Sequence, residues 1–173
     1  IESLCVEIYT GKKLGDNLTW DDLSGYAAVF LSIGQQLSRA LGVPGEGCAG
    51  VLHGLTFLKR LNLGEQVAIG KQVAVIGGGN TAMDAARAAR RLGSEVTVVY
   101  RRSRAEMPAI AEEVAEAEEE GVRFHFLAAP VQVLSAGGRV RGLRCIRIQL
   151  GEPDASGRRR PEPIAGSEFD LAV

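Results

Sequence analysis

Along most of this chain, short apolar runs alternate with segments whose apolar positions recur at helical spacing, and the two rhythms predict strands and helices in turn. Val73-Ala74-Val75-Ile76 is a β-branched run suited to one buried parallel strand, and it stops at Gly77-Gly78-Gly79. Ala82, Met83, Ala85, Ala86, Ala89 and Leu92 then give a helix an apolar side, with Gly93 as its C-cap. Val96-Thr97-Val98-Val99-Tyr100 reads as a second strand. Pro108 fits the first position of another helix, which runs to about Glu120 with Ile110, Val114 and Ala117 on one side. Gly121 ends it, and Val122 to Leu127 alternates as a third parallel strand, with His125 opposite Phe124 and Phe126. The rhythm then changes. Pro130 to Leu134 is a strand, Gly137-Gly138 a tight turn, and Leu143 to Leu150 a strand with Ile146, Ile148 and Leu150 on one face. Gly151 to Pro163 reads as a polar turn region with Arg158-Arg159-Arg160 at a solvated tip, and Glu168 to Val173 begins a further strand. The pattern predicts an α/β, Rossmann-like three-layer domain: a doubly wound parallel sheet with right-handed crossovers, and an antiparallel β-meander beside it.

The region before Lys71 is less regular. Val6-Glu7-Ile8-Tyr9 alternates like a strand, Gly11 to Asn17 reads as a turn, and Thr19 caps a short helix with Asp22 near the capping-box position. Ala27-Ala28-Val29-Phe30-Leu31 reads as a buried strand closed by Ser32-Ile33-Gly34. Leu41 to Gly50 is a glycine-rich connecting loop, and Val51, Leu55, Leu58 and Leu61 predict an amphipathic helix ending near Asn62 and Gly64. His53 falls in that helix as a surface or packing residue.

Chemistry concentrates at the first strand–helix junction. Gly77-x-Gly79-x-x-Ala82 lies between a strand and a helix, with a second strand on schedule, which is the context a dinucleotide fingerprint requires. Gly77 permits the tight turn, Gly79 lets a pyrophosphate approach the backbone, and Ala82 lets helix and strand lie close. Gly77, Gly78 and Gly79 thus form the phosphate turn, with Asn80 and Thr81 at the helix start, where N–H groups and the helix dipole face an anion. NAD-binding units place an acid at the end of the second strand, about 20 residues past the first glycine. Here the sequence reads Tyr100-Arg101-Arg102-Ser103-Arg104. Guanidinium groups bind phosphate through charge-assisted, often bidentate bonds, so Arg101, Arg102 and Arg104 favour the 2′-phosphate of NADPH, with NADH still possible. Arg101 and Arg102 point in different directions if strand geometry persists, so their contributions differ.

Two segments, GGGNTAMDAAR and VYRRSRAEMPA, make the chain similar to the NADPH-binding domain of the small (β) subunit of bacterial glutamate synthase and its relatives, among them the flavoprotein domain of dihydropyrimidine dehydrogenase and diaphorase-like subunits of ferredoxin-linked oxidoreductases. The resemblance runs through nearly the whole chain. It implies a flavoprotein in which NADPH reduces FAD and FAD passes electrons onward, to an electron-accepting subunit or iron–sulfur protein. It also implies that residues 1–36 belong to a partial FAD domain, 37–163 to the nucleotide domain, and 164–173 to a strand returning to the FAD domain. In that family a strand ending in an Ala-Ile-Gly-like triplet crosses between domains; here the triplet is Ser32-Ile33-Gly34, and Ala27 stands where an acid is common. The chain has one dinucleotide fingerprint and starts with Ile, so FAD is expected only in a longer parent protein.

Composition narrows the picture. A hydrophobic content of 46 %, a charged content of 24 % and a net charge of −1 fit a globular protein without nucleic-acid or membrane affinity. No apolar run approaches the roughly 20 residues of a membrane span, and no signal peptide is visible. Cys5, Cys48 and Cys145 are scattered, which fits a reducing cytoplasm and gives no disulfide framework, metal site, CxxC redox pair or iron–sulfur run. No Tyr-x-x-x-Lys pair suggests a free-standing dehydrogenase, and no residue has the look of a proton-transfer catalyst. Two other readings stay open: a module that senses NADPH or supports an assembly without redox turnover, and an NADH-using diaphorase subunit of a related complex. The acid run from Glu112 to Glu120 opposes its helix dipole and has no local rationale; a solvated face or a partner-docking surface would account for it.

Overall fold

The computed structural model describes residues 5–34, 37–155 and 157–173. The chain divides into two units, Ile1–Gln35 and Gln36–Val173.

In the larger unit, parallel strands β1 (Gln72–Ile76), β2 (Glu95–Tyr100) and β3 (Arg123–Phe126) lie in the order β1-β2-β3. Helix α1 (Gly54–Asn62) precedes β1, α2 (Asn80–Arg91) connects β1 to β2, and α3 (Ala111–Glu119) connects β2 to β3. Strand alternation sorts the core into two sets. Val73, Val75, Val96, Val98 and Phe124 pack with Phe57 of α1, Met83, Ala86 and Ala89 of α2, and Val114 and Ala117 of α3. Ala74, Ile76 and Val99 face the other way and pack with Ala128, Val133, Leu143 and Cys145. That second set belongs to the antiparallel strands β4 (Ala128–Ala136), β5 (Arg139–Pro153), β6 (Arg159–Pro163) and β7 (Phe169–Ala172). The layers therefore run helices, parallel sheet, antiparallel sheet. The doubly wound expectation is corrected: the strand order follows the sequence, so both crossover helices pack on one face, and the antiparallel sheet covers the other.

The glycine pair at the β4–β5 turn has φ of +59° at Gly137 and +74° at Gly138, the two positive values that a type I′ hairpin needs. β5 is the hub of this sheet. It pairs with β4, then with β7 through Gly142 to Cys145, and with β6 through Ile148 to Pro153. The polar stretch predicted from Gly151 is shorter than expected, because β5 continues to Pro153 and β6 begins at Arg159. Arg159 and Arg160 accordingly lie in a strand and not at the tip. β3 and β4 are separated only by Leu127, whose φ is +55°. Cys145 is fully buried, and desolvation pushes its thiol up to about 11, so it stays protonated and unreactive. The His125 ring stacks on Phe169 at 4.8 Å, and burial lowers its pKa, so it packs as a neutral ring.

Two helix expectations change. α3 starts at Ala111, after Pro108, because the backbone just ahead of it is tied elsewhere, as described below. The acid run gains a rationale: Arg87 pairs with Glu113, Glu116 and Glu120, Arg91 pairs with Glu120, and Arg104 pairs with Glu118. Arginines of α2 thus offset the acids of α3, and Arg90 Nε donates to the carbonyl of Glu120 at 2.9 Å. Hydrogen bonds from Arg91 and Arg87 hold the Glu120 carboxyl below the usual carboxylate range. A lowered folded-state pKa adds stability above the unfolded value of about 4.3, and that stability is lost as pH falls through the folded value. Glu120→Ala is expected to cost about 1 kcal/mol at neutral pH and to make the acid limb of a melting-temperature profile shallower.

The smaller unit contains one 3₁₀ turn, Asp21–Leu23, among its described residues. Thr19 and Asp22 cap it reciprocally: the Thr19 N–H donates to Asp22 Oδ2 at 2.8 Å, and the Asp22 N–H to Thr19 Oγ1 at 3.3 Å. The strands predicted at Val6 to Tyr9 and Ala27 to Leu31 do not form. A strand needs neighbouring N–H and C=O partners, and neither stretch has a backbone hydrogen bond to another segment among the described residues. Phe30 is 92 % exposed as a result.

Candidate functional site

The C-terminal ends of β1 and β2 lie side by side. Ile76 pairs with Val99, and the Gly77 N–H donates to the Val99 carbonyl at 3.1 Å. The glycine turn and the arginine segment therefore leave the sheet at one edge. Gly77 has φ +139°, and a Cβ there would stand 3.3 Å from Ala82 Cβ, so the turn and the close helix approach depend on both residues being small. Gly78 is buried over the Tyr100 ring: a Cβ would stand 2.6 Å from two ring carbons. Gly79 is the N-cap of α2, and a Cβ there would meet only Pro108 Cγ, at 4.0 Å.

The N–H groups of Gly78, Gly79, Asn80 and Thr81 have no acceptor among the described residues. Four unpaired donors at the start of a helix, beside an open glycine, form a cradle for a phosphate group. Asn80 and Thr81 are exposed. The Asn80 side chain is partly committed, because its Oδ1 accepts the Ile110 N–H at 3.0 Å. The Ala109 N–H donates to the Gly78 carbonyl at 3.0 Å, and the Tyr100 hydroxyl donates to the Glu106 carbonyl at 2.8 Å. These bonds fold the segment after the arginines over the glycine turn and delay the start of α3. They also link the two sequence segments that carry the resemblance. Nothing in the local sequence marks Tyr100, Glu106 and Ala109 as site residues; the joint presence of the two segments is the signal that points to them.

The three arginines part company. Arg101 is exposed and has no hydrogen bond or ion pair among the described residues. Arg102 is turned inward, 3 % exposed, with Nε donating to the Arg159 carbonyl at 2.6 Å and Nη2 to Asp154 Oδ2 at 2.5 Å. Arg104 is exposed but forked onto Glu118, with Nη2 donating to Oε2 at 2.7 Å, and the hydrogen bond to Arg104 lowers the Glu118 pKa. Between them, Ser103 and Glu106 form a capping box in which the Ser103 N–H donates to Glu106 Oε2 at 3.1 Å. The structure thus brings Arg101 to the same edge as the glycine turn with its charge unspent. His53 stands at the N-cap of α1, beside Gly54, where a Cβ would stand 3.7 Å from the Thr81 methyl at the start of α2.

An unpaired N–H cradle between a parallel strand and a helix is the arrangement that Rossmann-like α/β domains present at a strand–helix junction. The chain belongs to the pyridine nucleotide-disulphide oxidoreductase family, whose model matches residues 2–150. It is 49 % identical over 176 residues to the β subunit of the NADP(+)-dependent formate dehydrogenase of Moorella thermoacetica, covering 99 % of this chain and 25 % of that protein. It is 41 % identical over 177 residues to the small chain of the NADPH glutamate synthase of Escherichia coli, covering 94 % of this chain and 38 % of that protein. The chain therefore spans well under half the length of these relatives. Among solved structures, Mycobacterium tuberculosis FprA in complex with NADPH superposes with a TM-score of 0.66 at 19 % identity, covering 82 % of this chain and 47 % of that one, a likeness of fold. No helix among the described residues is long and apolar enough to cross a membrane. No group of three or more His, Cys, Asp or Glu residues among them is placed to hold a metal ion.

Proposed function

We propose that this chain is the NADPH-binding domain of a cytoplasmic flavin oxidoreductase of the glutamate synthase small-subunit kind, and that a longer parent protein carries the FAD. The observation that carries this reading is the unpaired N–H cradle at Gly78 to Thr81 with the uncommitted Arg101 guanidinium at the same edge. Gly77, Gly78 and Gly79 with the N–H groups of Asn80 and Thr81 hold the pyrophosphate. Arg101 takes the 2′-phosphate, and Arg104 adds positive charge at the rim. When bound, NADPH supplies a hydride to the flavin, and the protein's share is to bind and orient it. No side chain is required to move a proton. Residues 1–36 are read as flavin-side chain, residues 37–163 as the nucleotide domain, and residues 164–173 as the start of the return toward the flavin domain. Electrons leave through an electron-accepting subunit or iron–sulfur protein; the relatives are named as a β subunit and a small chain, which fits a protein that works beside another.

The test uses the full-length parent with its flavin. Titrated separately, NADPH is expected to bind at least about tenfold more tightly than NADH, the equivalent of one retained charge-assisted contact. Anaerobic mixing with NADPH is expected to bleach the flavin absorbance. Equal binding of NADH removes the 2′-phosphate role. Tight NADPH binding without bleaching makes the chain a sensing module.

A further inference from the structure

We propose that Arg102 is a positioning residue that aims Arg101, and that it does so by tying the arginine segment to the β5–β6 hairpin without touching the nucleotide. The inference rests on the reading of Arg101 as the 2′-phosphate ligand. Arg102 is fixed from three directions. Its carbonyl accepts the Leu127 N–H at 3.2 Å, and the Leu127 carbonyl in turn accepts the Ile148 N–H of β5 at 2.8 Å. Its Nε reaches the carbonyl of Arg159 on β6 at 2.6 Å, and its Nη2 reaches Asp154 in the hairpin turn at 2.5 Å. The turn is itself closed, by the Asp154 N–H to the Arg158 carbonyl and the Gly157 N–H to the Asp154 carbonyl, both at 2.8 Å. Arg159 pins it further, with Nη2 donating to the Leu150 carbonyl at 2.7 Å.

The choice of residue follows from geometry. The guanidinium is a planar fork that can meet a carbonyl and a carboxylate together, whereas an ammonium is a point donor. A buried guanidinium also needs its charge answered, and Asp154 answers it. A group so engaged has little left for a ligand. What it provides is a fixed backbone at the residue next to Arg101, so Arg101 loses less freedom on binding a phosphate. The hairpin, some fifty residues downstream in sequence, becomes part of the nucleotide-selection apparatus.

The experiment compares NADPH and NADH affinities in the flavin-loaded full-length parent for Asp154→Asn, Arg102→Lys and Arg101→Ala. Asp154→Asn keeps the shape of the turn and removes the charge that holds Arg102. It is expected to weaken NADPH about three- to tenfold, the range for losing pre-organisation of one long side chain, with NADH changed less than about twofold. Arg102→Lys is expected to weaken NADPH at least as much as Asp154→Asn, although the positive charge is kept. If Asp154→Asn leaves NADPH binding unchanged, the tie does not aim Arg101, and if it tightens binding, the freed Arg102 meets phosphate directly; either result overturns the proposal. Equal loss of both nucleotides marks a purely structural tie and also overturns it. Arg101→Ala separates the two readings: if it does not weaken NADPH, the 2′-phosphate assignment itself fails, whatever Asp154→Asn does.

Discussion

Arg101→Ala is expected to weaken NADPH binding by about 10- to 100-fold while NADH binding stays within about threefold. A hydrogen bond to a charged group contributes about 1.5–3 kcal/mol, and a guanidinium on a phosphate forms such bonds in pairs. Arg101 is exposed, so solvent and salt screen part of that energy, which sets the lower end of the range. NADH has no 2′-phosphate and so nothing to lose at this position. Arg104 and Arg102 cannot substitute, since their guanidiniums are held by Glu118 and by Asp154 with the Arg159 carbonyl. Parallel titrations at one fixed ionic strength read the ratio directly. A variant that binds both nucleotides as the natural chain does would move the phosphate contact elsewhere.

Gly78→Ala is expected to abolish measurable binding of both nucleotides and to lower the melting temperature by about 2–12 °C. A methyl there would stand 2.6, 2.6 and 2.9 Å from three carbons of the Tyr100 ring. The ring cannot swing away at low cost, because it is buried and its hydroxyl is bonded to the Glu106 carbonyl. Overpacking of this kind costs about 1–3 kcal/mol, and each kcal/mol moves a domain of this size by about 2–4 °C. The displaced turn would also misdirect the N–H groups that form the cradle. Gly79 is the contrast, since its Cβ would meet only Pro108 at 4.0 Å and the fold has room for it. Calorimetric melting beside binding titrations checks the prediction; an unchanged melting temperature would show that Tyr100 can yield.

Much of the fold was legible because it is locally coded. β1, α2 and β2 follow from one β-branched run, one alanine-rich face and a second β-branched run, and the Gly137-Gly138 hairpin from two residues that tolerate positive φ. The rest depends on partners distant in sequence. The alternation at Val6 to Tyr9 and the apolar run at Ala27 to Leu31 meet the local requirement for a strand, yet pairing needs a neighbour that no local pattern supplies. The start of α3 is set by the Gly78 carbonyl and the Asn80 side chain, about thirty residues upstream. The site divides in the same way. The glycines and the need for basic residues could be read directly, and strand alternation already implied that Arg101 and Arg102 face apart. Which of the two turns inward is decided by Asp154 and Arg159, in a hairpin whose sequence looks only polar.

Leu127 has a mechanical consequence. Proteins that move their domains absorb the motion at hinges, a few residues able to change φ and ψ together. The passage from the parallel to the antiparallel sheet is one residue long, and its N–H and carbonyl are both spent, on Arg102 and Ile148. No slack remains there for the two sheets to slide or open. A change in the angle between the two sheets would have to break one of these hydrogen bonds or move Leu127 out of its positive φ.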